Sequence, residues 1–291
     1  MQITANGIQI ECEVYGPDDG VPLVLVRGLG SQLVHWPREF VQGFADLGYR
    51  TVIFDNRDVG LSQRCPADGV TGVAEDILAE VRKGALPSPA YSLDDMALDT
   101  LGVMDAFGMA KAHVFGISMG GAITQVLVGK HADRLLSTTI VMTAARLISP
   151  GLIERVLVYP ETREEAQESW IEGHASWGSH GYPMSETEIR EQAALAWDRG
   201  SDANGVNRQA LATMSYGDRR EMLTTINHPC FVLHGAIDTL IPPEMGEEIA
   251  ALIPNSELKI IEGMGHVITP LLSPMIVEMV HDFINMRGLS A

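Results

Sequence analysis

Short apolar runs rich in β-branched residues punctuate the chain at residues 22–26 (PLVLV), 50–54 (RTVIF), 113–115 (HVF), 137–142 (STTIVM), 229–233 (PCFVL) and 257–261 (ELKII). Each is too short for a helix and is bounded by turn-forming or polar residues. Most lack the polar alternation of a half-exposed strand, so they predict strands buried on both faces. Helix-length stretches lie between several of them, at residues 37–47, 92–107, 120–130 and 245–253. This alternation predicts an α/β fold with a doubly wound, mostly parallel sheet and crossover helices on both faces. The opening MQITANGIQIECEVYG reads as two short strands around Asn6-Gly7, with neither the basic start nor the apolar run of a leader peptide.

Two segments interrupt this rhythm. Residues 65–91 place a helix-like VAEDILAEVRKG between loops rich in Gly and Pro, more than a simple connection needs. Residues 144–216 hold several helical patterns and no convincing strand, which predicts a helical lid inserted into a core made of residues 1–143 and 217–291. Trp170, Trp177 and Trp197, three of the four tryptophans, fall in this insertion and suggest an apolar roof over a pocket. Packing of the lid onto the core explains any one of them equally well.

With 291 residues and 46% hydrophobic content, the chain has material for one large core with an attached subdomain. Charge is the unusual bulk property. Twenty basic against 38 acidic residues give a formal net of −18, a surface that repels nucleic acid and anionic membranes. No apolar run approaches the length of a membrane span. Cys12, Cys65 and Cys230 are far apart and odd in number, which argues against a disulfide framework or a zinc cluster. The nine histidines show no paired ligand spacing, and His174 and His180 are expected to face solvent. The expectation is a cytoplasmic protein, monomeric or homodimeric, needing neither metal nor cofactor.

The chemistry centres on VFGISMGGAITQ, where a strand runs through Gly116-Ile117-Ser118-Met119-Gly120 into a helical pattern. Glycines on either side of Ser118 permit a sharp strand-to-helix turn that lifts its hydroxyl clear of the sheet. A serine hydroxyl needs a base, and the base needs an orienting acid. In a parallel sheet such groups belong just after strands, at the same edge. Asp238 follows PCFVLHGAI and His266 follows LKIIEGMG, giving the chain order Ser118, Asp238, His266. Gly28-Leu29-Gly30 follows PLVLV, so the backbone N–H groups of Leu29 and Met119 are the expected oxyanion donors.

With these four pieces the sequence resembles the α/β-hydrolase superfamily over essentially its whole length. RGLGSQLVHWP, FDNRDVGLS, HVFGISMGGAITQ, LHGAIDTLIP and EGMGH are similar to the lidded serine esterases around the aclacinomycin methylesterases. The resemblance implies hydrolysis of an ester through an acyl-enzyme, and the Trp- and Met-bearing lid favours a moderately hydrophobic small-molecule ester. Lactone, amide or C–C bond hydrolysis, and lyase or cofactor-free oxygenase chemistry, remain open to the same fold. One departure matters: many relatives begin the oxyanion motif with His-Gly, and here it is Arg27-Gly28. Arg27 is then either a contact for a substrate carbonyl or carboxylate, or half of an ion pair with Asp55 or Asp58. The Asp55-Asn56-Arg57-Asp58 stretch itself reads as a turn network. His35 and Trp36, just beyond the oxyanion loop, are expected to line the acyl site or to pack.

Overall fold

The computed structural model describes residues 1–146, 151–158 and 162–289. Its strands are β1 (Gln2–Ala5), β2 (Ile8–Tyr15), β3 (Val21–Val26), β4 (Tyr49–Phe54), β5 (Ala112–Ile117), β6 (Leu135–Val141), β7 (Cys230–Gly235) and β8 (Glu257–Ile261). They form one sheet in the order β1-β2-β4-β3-β5-β6-β7-β8. Only the β1–β2 and β2–β4 pairings are antiparallel. The others are parallel, so β3 through β8 present their carboxyl ends at one edge. Every residue of β5 and β7 is buried, as expected of central strands covered on both faces.

The α-helices are α1 (Arg38–Asp46), α2 (Ala74–Arg82), α3 (Leu93–Ala106), α4 (Met119–Lys130), α5 (Leu152–Val156), α6 (Arg163–Trp177), α7 (Glu186–Gly200), α8 (Ala203–Ser215), α9 (Arg220–Thr224), α10 (Glu244–Leu252) and α11 (Ser273–Met286). One face of the sheet packs on α3, α4 and α10 through Met96, Val103, Ile123, Leu127 and Ile249. The other packs on α1 and α11 through Phe40, Phe44, Ile276, Val277 and Phe283. Helices α5 to α8 all lie between β6 and β7, with no strand among the described residues there. Residues 147–150 and 159–161 of the expected lid fall outside the described residues.

Ion pairs to the buried carboxylates of Asp55 and Asp58 pin these inserted helices to the core. Arg208 on α8 holds Asp58 through Nε at 3.0 Å and Nη2 at 2.6 Å, and the Tyr91 hydroxyl donates to the same carboxylate at 2.7 Å. Arg199 on α7 pairs with Asp55 at 3.0 Å. Removing one partner of a fully desolvated pair strands the other charge. Arg208→Met is therefore expected to lower the unfolding free energy by about 3–5 kcal/mol, read by urea denaturation. A loss under about 1 kcal/mol would show that Asp58 is satisfied without it.

Candidate active site

Strand β5 ends at Ile117, and Ser118 turns the chain directly into α4 with φ 58° and ψ −118°. That left-handed φ is costly for a residue with a side chain and persists only where its surroundings enforce it. Here they do so by close approach. A Cβ at Gly116 would run into the Gly120 carbonyl, and one at Gly120 into the Val26 carbonyl. The Ser118 N–H is spent on the Val141 carbonyl of β6 at 2.8 Å, which locks the turn to the sheet.

The Ser118 hydroxyl lies 2.9 Å from His266 Nε2, and His266 Nδ1 lies 2.6 Å from Asp238 Oδ2. The other oxygen of Asp238 accepts the N–H groups of Leu240 and Ile241, each at 2.9 Å. With its acceptor sites engaged, the carboxylate holds the imidazole proton on Nδ1 and leaves Nε2 free to accept from serine. Burial pushes the Asp238 carboxyl up. The interaction with the His266 imidazole, the His234 imidazole 3.6 Å away, and hydrogen bonds from His266 and the Ile241 N–H outweigh it and hold Asp238 well below the usual carboxylate range. The group therefore stays ionised across neutral pH.

The His266 loop is seated against the inserted helices by backbone contacts. Its N–H donates to the Trp177 carbonyl at 2.6 Å, and the Trp177 ring stands edge-on to the imidazole with centroids 6.0 Å apart. The Gly265 N–H donates to Ser179 Oγ at 2.9 Å, while Thr239, next to Asp238, donates to the Ser176 carbonyl at 2.8 Å. A side chain at position 265 would collide with the Gly178 carbonyl, so Gly265 is what lets these backbones meet.

On the opposite side, Gly28 abuts the serine: an added Cβ would stand 3.0 Å from the Ser118 Cβ. Gln209 of α8, fully buried, accepts the Gly30 N–H at 2.9 Å and donates to the Arg57 carbonyl at 2.6 Å. Asn56 adds a hydrogen bond to the Arg27 carbonyl at 3.1 Å. Met119 opens α4, so its N–H has no intrahelical acceptor. The Leu29 N–H likewise makes no hydrogen bond among the described residues. Two backbone donors thus stand unused beside a serine paired with a base. They adjoin a cavity of ≈ 380 Å³ that both residues line along with Ser118 and His266. Such an arrangement is suited to attack on a carbonyl and to binding the resulting oxyanion.

Residues 21–170, more than half the chain, match the family model for the alpha/beta hydrolase fold. The chain belongs to the alpha/beta hydrolase family. It is similar to rhodomycin D methylesterase of Streptomyces peucetius, with 25% identity over 289 residues covering 91% of each chain. Its fold is shared with an enol-lactonase from Burkholderia xenovorans LB400, with TM-score 0.78, 23% identity and coverage of 98% of this chain and 100% of that one. A thermophilic esterase from Thermogutta terrifontis aligns with TM-score 0.77, 23% identity and coverage of 100% and 99%.

In this alpha/beta hydrolase the cavity is also lined by Arg27, His35, Trp170, Trp177 and Trp197, whereas Trp36 is not part of its wall. Trp36 packs, stacking on Phe40 at 5.3 Å and meeting Phe115 edge-on at 5.8 Å. Arg27 forms no ion pair with Asp55 or Asp58, because Arg199 and Arg208 hold those carboxylates. His174, expected at the surface, is buried between Trp170 and Trp177, with ring centroids 5.9 and 6.0 Å away. The spacing of Trp170, His174 and Trp177 on one helical face is the signal for that burial. Gln209 and the Trp177 carbonyl carry no sequence signal, since one is an ordinary helix residue and the other a backbone group.

Proposed function

We propose that this alpha/beta hydrolase is a serine carboxylic ester hydrolase that works through an acyl-enzyme on a moderately hydrophobic small-molecule ester. The observation that carries the reading is the unbroken hydrogen-bonded line from Ser118 through His266 to Asp238 at the cavity wall. The likeness to a methylesterase supports the ester as the bond cleaved, and the tryptophans lining the cavity suit an apolar substrate body.

Ser118 Oγ attacks the ester carbonyl carbon as His266 Nε2 takes its proton. The carbonyl oxygen becomes an oxyanion, bound by the Leu29 and Met119 N–H groups. Collapse expels the alcohol, which receives the proton from His266 and leaves Ser118 acylated. Water, deprotonated by His266, then attacks the acyl carbon, releasing the acid and restoring the hydroxyl. Asp238 keeps the imidazole in the required tautomer and stabilises its charged form in both halves. We place the protein in the cytoplasm, a compartment that suits Cys12 and Cys230, which are buried as free thiols.

A fluorophosphonate tests the nucleophile directly. The reagent is expected to abolish p-nitrophenyl butyrate hydrolysis with one adduct per chain, found by mass spectrometry on the peptide containing Ser118. An inactivating adduct on any other residue would overturn the assignment.

A further inference from the structure

The cavity inverts the charge of the molecule that surrounds it. The chain carries a net −18, yet the described residues lining the cavity include Arg27, Arg146, Arg155 and Arg219 and no aspartate or glutamate. Arg219 spends its donors on the Gln125 side chain and the Ala144 carbonyl, and Arg146 faces Glu248 at 3.4 Å. Arg27 is different. The residue is only 8% exposed, and among the described residues its guanidinium makes no hydrogen bond and no ion pair. Its guanidinium carbon sits over the Trp36 ring, 4.6 Å from the centroid, a cation–π contact that holds the head group in place.

A second unused donor stands in the same wall. His35 Nδ1 accepts the Gln32 N–H at 2.8 Å, which puts the ring proton on Nε2, and that atom is buried without a partner. Its ring stacks on Trp170 of α6 at 4.2 Å, so it too is held in place. Burial and the charge of Arg27 keep His35 far below its ordinary value, hence neutral and a donor at Nε2. Burial draws Arg27 down to about 9, which leaves it charged at neutral pH. A buried cation and a buried N–H, both lacking acceptors, form a site for a group that supplies negative charge and lone pairs.

We propose that the substrate carries an ionised carboxylate in addition to the bond that is cleaved, and that Arg27 pairs with this carboxylate inside the cavity. The proposal rests on the ester hydrolase reading for the bond cleaved, and it names the class of ester. The acidic exterior does not oppose it: exterior charges are screened beyond about 8 Å at physiological salt, while a guanidinium inside the cavity acts at contact. Cavities lined by one sign of charge also concentrate oppositely charged ligands.

The test compares each of two carboxylate esters with an uncharged partner of similar size: p-nitrophenyl hydrogen adipate with p-nitrophenyl heptanoate, and p-acetoxybenzoate with p-isopropylphenyl acetate. The first pair places the carboxylate on the acyl side and the second on the leaving group. The readout is the ratio of kcat/KM for charged over uncharged ester, in the wild type and in Arg27→Met, so intrinsic reactivity cancels. In at least one pair the ratio is expected to fall by about 10- to 100-fold in Arg27→Met, with a smaller fall in Arg27→Lys, which keeps the charge without the planar fork. Equal loss on charged and uncharged esters, or no change of ratio in either pair, would overturn the proposal. Calorimetric binding of the same intact esters to Ser118→Ala, with and without Arg27→Met, reads the preference without turnover. Charge preference in binding with no Ser118-dependent hydrolysis in the wild type would sink the esterase reading and leave the carboxylate site standing. Ser118-dependent hydrolysis with no charge preference by either readout would do the reverse.

Discussion

Ser118→Ala is expected to lower kcat on p-nitrophenyl butyrate by about a millionfold, the effect seen where a nucleophile, base and acid act as one unit. The remaining rate, about a thousandfold or more above water, belongs to the oxyanion donors and to binding. The Leu29 and Met119 N–H groups are backbone and survive the change. KM should therefore move far less than kcat. The strained φ of Ser118 is enforced by Gly116, Gly120 and the Val141 carbonyl rather than by its own hydroxyl, so alanine should occupy the same turn. Thermal melting near that of the wild type, with kcat lost and no fluorophosphonate adduct, is the full expected result. Residual activity above about one part in a thousand would mean that another group makes the covalent bond.

Asp238→Asn is expected to lower kcat by about ten-thousandfold with the fold retained. The amide oxygen can still accept from the Leu240 and Ile241 N–H groups, each of which meets the carboxylate at 2.9 Å, so the loop should hold. The amide NH2 then faces His266 Nδ1 and drives the imidazole proton onto Nε2, where serine needs a lone pair. Combining this change with Ser118→Ala should cost nothing beyond Ser118→Ala alone, because the acid acts only through the base. A loss below about tenfold would move the orienting role to another carboxylate. Stability carries a separate signature. The folded Asp238 sits below its unfolded value, so its ionisation contributes stability above about pH 4 and loses it as pH falls from there. The wild type's stability advantage over Asp238→Asn should accordingly shrink in acid, as read by urea midpoints across pH.

The elements bearing Ser118, Asp238 and His266 were legible because each carries a local signal. The run at residues 257–261 is β8 as it stands, and 229–233 differs from β7 by a residue or two at its ends. The 113–115 run is the inner part of β5, which extends through Gly116 and Ile117 because both pair in register with Ile140 and Val141 of β6. Pairing partners are a tertiary fact, so the short apolar run alone understates the strand. Helix α11 also carries a local signal, since Ile276, Val277, Val280, Phe283 and Ile284 recur at helical spacing on its buried face. The destination of Arg27 was not legible. Its two readings differ only in whether Asp55 and Asp58 are already taken, and the residues that take them, Arg199 and Arg208, lie more than 140 positions away.

The backbone bonds from the His266 and Asp238 loops to Trp177 and Ser176 also bear on how this hydrolase can diversify. Residues at the cavity wall on α7 and α8 make no hydrogen bond to Ser118, His266 or Asp238 among the described residues, so changes there are expected to leave that line in place. The stretch from Ser176 to Tyr182 behaves differently, because it is the surface on which the base is registered. Inserted helices transplanted from a relative would therefore need a backbone of matching course at that one seam. Recombination within the family is expected to tolerate crossovers in α7 and to fail at the seam, where the backbone course is shared with the loops bearing His266 and Asp238.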